Sequence, residues 1–267
     1  MNPIKLFVRR SIYLTLGMWD TLHAKRKNRV VVLCYHSISN DWRFGVSLEA
    51  FTQQMEYLNQ NYDFLSLQDL RAFLDGKKKL HRQSVVITFD DGYADIVQVV
   101  PLLKKHAVQP TVFLLGDPAK ANRAEMDTAK GLLTTAQILL LKKAGWKFGS
   151  HSMTHPDFGK LSEKNLQKEV VDSRSKLARE LGSEMQYFAY PKGRYSKKIL
   201  VAVKKAGYAL GMSMDDVLID QNANRLLIPR IGVDATHSFV EFKAIMTDAA
   251  ITWRKSVKSS KFAKFAV

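Results

Sequence analysis

The sequence predicts an α/β fold, a parallel sheet covered by helices and either closed into a barrel or left open, on three observations. Seven apolar runs rich in Val, Ile, Tyr and Phe alternate with helix-patterned segments. The 267 residues, 46% of them hydrophobic, suit one large domain better than two. Residues able to do chemistry fall where the apolar runs end, which is where parallel α/β folds assemble their sites.

Residues 1–28 open the chain. Ile4 to Trp19 sets Lys5, Arg9 and Arg10 among Phe7, Val8, Ile12, Tyr13, Leu14 and Leu16, a basic amphipathic helix. It is too short to span a bilayer and no small-residue cleavage site follows, so neither a membrane span nor a signal peptide is expected. Either it lies on an anionic membrane surface, or Phe7, Val8, Ile12 and Trp19 dock on the domain. Residues 29–252 carry the strands: Arg29 to His36, Val85 to Asp90, Thr111 to Leu115, Trp146 to Ser150, Tyr187 to Tyr190, Tyr208 to Met212 and Leu226 to Ile231. Helices are expected between them. Ser47 precedes a periodic stretch with Phe51, Met55 and Leu58. Thr134 and Gln137 form a capping box that opens Ile138 to Lys143, and Gly145 ends that helix. Residues 253–267, where Lys255, Lys258, Lys261 and Lys264 interleave with Phe262 and Phe265, are expected to be a solvated basic tail.

Four strand ends draw attention. Val85-Val86-Ile87-Thr88-Phe89 runs straight into Asp90-Asp91-Gly92. Adjacent carboxylates on extended chain point in different directions, so one can bind a cation while the other handles protons; a solvated Asp-Gly turn is the plainer alternative. His151 and His155 follow Phe148-Gly149-Ser150, and a helical turn there would put both rings on one side. Two His with an Asp from another strand end make a metal site with open positions, suited to hydrolysis and also used by non-haem iron oxygenases. Tyr187-Phe188-Ala189-Tyr190-Pro191-Lys192-Gly193 reads by itself only as a turn. Arg230 sits in the apolar run Ile228-Pro229-Arg230-Ile231, where its charge needs a carboxylate unless it lies on an exposed edge.

Together the Thr-Phe-Asp-Asp-Gly-Tyr, His-Ser-Xaa-Xaa-His and Phe-Ala-Tyr-Pro-Xaa-Gly stretches, in that order, resemble the polysaccharide deacetylase family of carbohydrate esterases, from about Arg29 to Gly232. The resemblance implies a deformed (β/α)7 barrel, which agrees with seven strands. It implies a metal-dependent hydrolase that removes N-acetyl, or less often O-acetyl, groups from sugars. Position by position, Asp90 is similar to the family's general base, Asp91, His151 and His155 to its metal ligands, and the backbone N–H of Lys192 to its oxyanion-hole donor. The expected cofactor is a divalent metal, Zn2+ by ligand type, which activates water and polarises the acetyl carbonyl. Two departures stand out: Ala189 occupies a place where many members carry Arg, and no C-terminal Leu-Xaa-His motif is found. Val32-Leu33-Cys34-Tyr35-His36 resembles the first strand of the poly-N-acetylglucosamine exopolysaccharide deacetylase subgroup, where the motifs are circularly permuted. That makes His36 the candidate acid, against a core histidine, and Arg230 the candidate partner of Asp90. Asp215 and Asp216 either orient one of these groups or belong to a solvated loop.

Lys and Arg number 41 against 25 Asp and Glu, a net charge of +16, which favours an anionic partner. No basic-and-aromatic nucleic-acid motif or helix-turn-helix is found, so no nucleic acid is expected. The expected partners are an N-acetylated glycan and an anionic membrane surface. A single cysteine, Cys34, cannot form an internal disulfide and reads as a small core residue. The expected location is cytoplasmic, with the N-terminal helix as a peripheral contact on the inner membrane. His23, His81, His106 and His237 read as surface residues without partners. A non-catalytic glycan- or membrane-binding protein on the same barrel is the alternative to the enzyme.

Overall fold

The computed structural model describes residues 3–23, 28–126 and 128–259. β1 (Val30–Tyr35) and β3 (Ser84–Phe89) are buried at every residue, as near-continuous apolar strands must be when a parallel sheet is covered on both faces. They pair in register from Val30 with Ser84 to Tyr35 with Phe89. The other strands are β2 (Asp63–Leu65), β4 (Thr111–Leu114), β5 (Lys147–Ser150), β6 (Tyr187–Ala189), β7 (Leu210–Met212) and β8 (Ile231–Gly232). Seven follow the order β7-β6-β5-β4-β3-β1-β8, all parallel. The short β2, absent from the sequence expectation, pairs with Ser84–Val86, while β4 pairs with Thr88 and Phe89. Because β1 occupies the whole of one edge of β3, β2 and β4 share the other, one at each end.

The run expected as a strand from Leu226 to Ile231 is regular only at Ile231 and Gly232. Its first half leans on β7, where Ile228 N donates to Gly211 O at 2.7 Å and Ser213 N to Ile228 O at 2.8 Å. Its second half pairs with Leu33 and Cys34 of β1. One irregular segment thus bridges first and last strands and closes a deformed (β/α)7 barrel.

Helices surround the sheet: α1 (Pro3–His23), α2 (Leu48–Asn61), α3 (Leu67–Leu74), α4 (Val100–Lys105), α5 (Arg123–Met126), α6 (Thr135–Lys143), α7 (Glu163–Gln167), α8 (Ser173–Leu181), α9 (Lys197–Lys205), α10 (Phe239–Ala244) and α11 (Asp248–Ser259). Ser47 caps α2, and the Thr134–Gln137 capping box opens α6 as the sequence implies. A π-turn, Lys168–Asp172, lies between α7 and α8. Alternation along the strands splits the core. Val31, Leu33, Ile87 and Phe89 pack with the outer helices. Val30, Val32, Val86, Phe113 and Met212 pack with one another and with α3, inside the barrel.

Both termini depart from expectation. α1 does dock, but through Tyr13, edge-on to Trp253 at 5.5 Å between centroids, and through Arg9, whose Nε donates to Glu241 at 2.7 Å. Phe7, Val8 and Trp19 stay at least half exposed. The supposed basic tail is helical through Ser259, because Trp253 packs on α1 and Arg254 pairs with buried Asp216 at 3.1 Å; residues 260–267 lie outside the described residues. Asp216 is therefore tied to α11, and Asp215 accepts hydrogen bonds from Ser213 and Tyr195. His237 is half-buried and pairs with Asp234 at 3.2 Å, so it does have a partner; the His23 side chain lies outside the described residues.

Candidate active site

The inward phase of each strand continues into the site. Val86 and Thr88 lead to Asp90, Val32 and Cys34 to His36, and Ile228 to Arg230. Gly149 of β5 lies against the inward Phe113, whose ring carbons would meet an added Cβ at 2.5 Å. The next inward position after Gly149 is His151.

Arg230 is not an edge residue. It is fully buried, its two terminal nitrogens each donate to one oxygen of Asp90 at 2.6 Å, Nε donates to Ser213 O, and the guanidinium lies 5.3 Å from the Phe113 centroid. Burial alone would raise the Asp90 carboxyl. The Arg230 charge, with His151 and the Arg230 hydrogen bonds, outweighs it and holds that carboxyl well below the usual carboxylate range. Cys34 is buried as expected but is more than filler, since its Sγ donates to Asp90 Oδ2 at 3.4 Å.

Asp91 turns the other way. It and Gly92 have φ of +65° and +72°, left-handed values that break the strand phase and swing the second carboxylate away from the first. Asp91 Oδ1 stands 3.5 Å from His151 Nε2 and 3.6 Å from His155 Nε2. Asp91 is buried, and its Oδ1 has no hydrogen-bond partner among the described residues. Burial pushes its carboxyl up to about 6 against the pull of the His36 charge. The histidines do not share a helical turn. Ser152 and His155 both have positive φ, and these two bends make the rings converge to 5.0 Å between centroids. His151 Nδ1 donates to Ala189 O at 2.9 Å, which fixes the tautomer and leaves Nε2 bare toward Asp91. Burial lowers His151 to about 3 and lowers His155 as well, so both rings are neutral and ready to ligate.

These three donors fit a metal. A tetrahedral ion with bonds of ~2.1 Å holds its ligand atoms about 3.4 Å apart, close to the separations here. The three ligand atoms all lie within 4.8 Å of one another. Cys34, His36 and Asp90 form a second such group, but Arg230 already claims both Asp90 oxygens.

His36 is half-buried just past the end of β1, beside the paired rings of Trp42 and Phe44, whose centroids lie 6.1 and 5.9 Å away. Lys192 follows β6 in a left-handed conformation, φ +53°, and its Nζ lies 2.7 Å from Glu125. Arg194 pairs with Asp157 at 2.7 Å, completing a charged rim. Sequence reasoning missed Glu169. This buried residue of the π-turn accepts from Met153 N, Thr154 N and Thr154 Oγ1 at 2.8, 2.9 and 2.8 Å, gripping the loop between the two histidines. No local signal marks it, since it is one acid in a polar helical stretch and only the π-turn, a frequent companion of functional sites, sets it apart.

A parallel barrel that gathers a carboxylate–guanidinium pair beside a His-His-Asp donor set at its strand ends defines a metal-assisted hydrolase class. The sequence model of the polysaccharide deacetylase family matches residues 77–211, just over half of the chain, and the protein belongs to that family. Among its relatives is the poly-beta-1,6-N-acetyl-D-glucosamine N-deacetylase of Staphylococcus aureus, 27% identical over 245 residues, which are 86% of this chain and 81% of the relative. The structure of the Streptococcus pyogenes deacetylase PplD in complex with acetate superposes with a TM-score of 0.67 at 27% identity, covering 77% of this chain and 92% of that one. IcaB from Ammonifex degensii superposes with a TM-score of 0.70 over 84% of this chain and 98% of its own; at 22% identity it speaks for the fold alone.

Proposed function

We propose that this polysaccharide deacetylase removes N-acetyl groups from N-acetylglucosamine units of a polysaccharide or its lipid-linked precursor, with Zn2+ as its ion, peripherally on an anionic membrane surface. The observation that carries the chemistry is the Asp91–His151–His155 triangle beside the Asp90–Arg230 pair. The name of the S. aureus relative supports the sugar. No observation favours the non-catalytic alternative.

In this reading Asp91, His151 and His155 hold the ion, which when bound acidifies a water and polarises the acetyl carbonyl. Asp90, kept ionised by Arg230, takes a proton from the attacking water; a carboxylate held so low accepts one only from a strongly acidified donor. As the water oxygen bonds to the carbonyl carbon, the Lys192 N–H donates to the oxygen that gains charge. His36 then gives a proton to the sugar nitrogen as the C–N bond breaks, releasing acetate and a free amine. The test is acetate release from N-acetylglucosamine oligomers before and after chelation and zinc re-addition. Release that stops on chelation and returns with zinc is the expected result; release unaffected by chelation sinks the metal assignment.

A further inference from the structure

α1 is an amphipathic helix with its faces reversed from the usual arrangement. Tyr13, Arg9 and Leu16 engage the barrel, and Gly17 comes close enough to α10 that an added Cβ would lie 3.7 Å from Ala244 Cβ. The opposite arc carries Phe7, Leu14 and Met18, spaced i, i+7, i+11, with Val8 beside them, and these are 50% to 72% exposed. The two hydroxyls on that arc offer no free polar group outward as donors, because Ser11 Oγ donates to Phe7 O and Thr15 Oγ1 to Ser11 O. Ordinary surface helices of water-soluble domains show charge on this side.

Electrostatics name the occupant. α1 carries the basic Lys5, Arg9 and Arg10 in its first half against a single acidic residue, Asp20, near its C-terminal end. Arg9 turns inward to Glu241, whereas the Arg10 side chain, 54% exposed with its Nε 4.0 Å from the same Glu241, neighbours Phe7 three residues before it and Leu14 four after. Lys255 is exposed on α11, which packs against α1. No described helix is long and apolar enough to cross a membrane. Apolar side chains bordered by cations, on a chain of net charge +16, match the headgroup and acyl boundary of an anionic bilayer. We infer that the outward arc of α1, centred on Phe7, Leu14 and Met18, is the surface by which this protein lies on an anionic lipid membrane.

The docking of α1 adds an orientation. Arg9 bonds Thr236 O and Glu241, just past β8 at the end where strands finish, whereas Arg29 at the start of β1 meets Asp248. The Arg9 end of α1 is thus anchored at the rim where the strands finish, the same end of the barrel that carries Asp90, Asp91 and His36.

This inference rests on the peripheral-membrane part of the proposed function and not on its chemistry. The test is flotation of the full chain with phosphatidylcholine vesicles and with equal parts phosphatidylcholine and phosphatidylglycerol. The triple substitution Phe7→Ser, Leu14→Ser, Met18→Ser serves as the variant, with Phe7→Ser alone as a milder control. Wild type is expected to float with the anionic vesicles and to be released by salt. The triple variant should bind at least about tenfold more weakly, and Phe7→Ser should fall between. Thermal melts and acetate release from soluble oligomers should be unchanged. Equal flotation of variant and wild type, or no flotation of wild type, overturns the inference. So does a concentration-dependent dimer in sedimentation velocity that the triple substitution abolishes, since a second copy would then cover the arc.

Discussion

Replacing Arg230 with Met probes the site and the barrel core at once. The guanidinium is fully buried, holds Asp90 at 2.6 Å through two parallel bonds, and lies over Phe113. Methionine fills much of the stem volume and stacks acceptably on the ring, but it leaves the Asp90 carboxylate buried and uncompensated. Breaking a buried pair in this way costs about 3 to 5 kcal/mol, which for a domain of this size lowers Tm by about 5 to 9 °C. Turnover should fall by about a hundredfold or more, because the base loses both its charge partner and its fixed orientation. The second half of the cycle is diagnostic. In Asp90→Asn/Arg230→Met no unpaired charge remains, so at least about half of the lost stability should return while activity does not. Calorimetry or fluorescence melts, with acetate release on the same preparations, read both quantities. If Arg230→Met melts within about 2 °C of wild type, or if the double variant is no more stable than the single, the pair does not hold the site as described.

Asp90→Asn alone should keep its metal content by elemental analysis and lose about a thousandfold in rate, whereas His151→Ala should lose the metal; metal-free Asp90→Asn would reassign Asp90 as a ligand. Glu169→Gln should weaken divalent-ion affinity by about tenfold in chelator competition while the metal-free protein melts near wild type, because the amide can replace one acceptor but not all three contacts. Unchanged affinity would reduce Glu169 to a structural clamp. Asp234 is held down to about 2: burial raises it, but His237 and Thr236 outweigh that. A depressed carboxylate stabilises the fold above its unfolded value near 3.9 and loses that as pH falls toward 2, so Asp234→Asn should cost about 2 kcal/mol at neutral pH. The gap to wild type should close between about pH 4 and 2, and a pH-independent gap would assign the cost to packing.

Much of the fold was legible because parallel strands advertise themselves. Val30–Tyr35 and Ser84–Phe89 are long, β-branched and fully buried, so periodicity and composition agree. Asp63–Leu65 was not legible: three residues give no period, and the strand exists because β4 leaves half an edge of β3 for it. Leu226 to Ile231 read as one strand because it is apolar apart from Arg230, yet it serves two neighbours in turn and is regular only where it joins β1. At the site, Asp91, His151 and His155 were legible as residue types at strand ends, but the helical turn expected of the histidines was wrong. Left-handed backbone at Ser152 and His155 is a tertiary outcome, sustained by Glu169 and by Gly116 N bonding Ser152 O. The docked face of α1 was misread for a related reason. An apolar arc reveals that a helix has a side to cover without saying which side the barrel takes, and here Tyr13 and a buried Glu241 decided it.

The exchange between Ala189 and Arg230 follows from barrel geometry. Ala189 is an inward residue on β6, and its carbonyl oxygen orients His151. Arg230 comes from the closing segment between β7 and β8, yet its guanidinium reaches across the same interior to Asp90. Inside a closed barrel the strands at one height face a common volume, so a required charge belongs to a layer and not to a strand. A motif read along one strand sees Ala189 and reports a missing guanidinium. In the layer a guanidinium is present: Thr88, Ser213 and Phe113 surround an Arg230 with no exposure, and it reaches Asp90 from the closing segment instead of from β6. Loss of the motif residue and presence of the buried arginine are therefore one feature, and each explains the other.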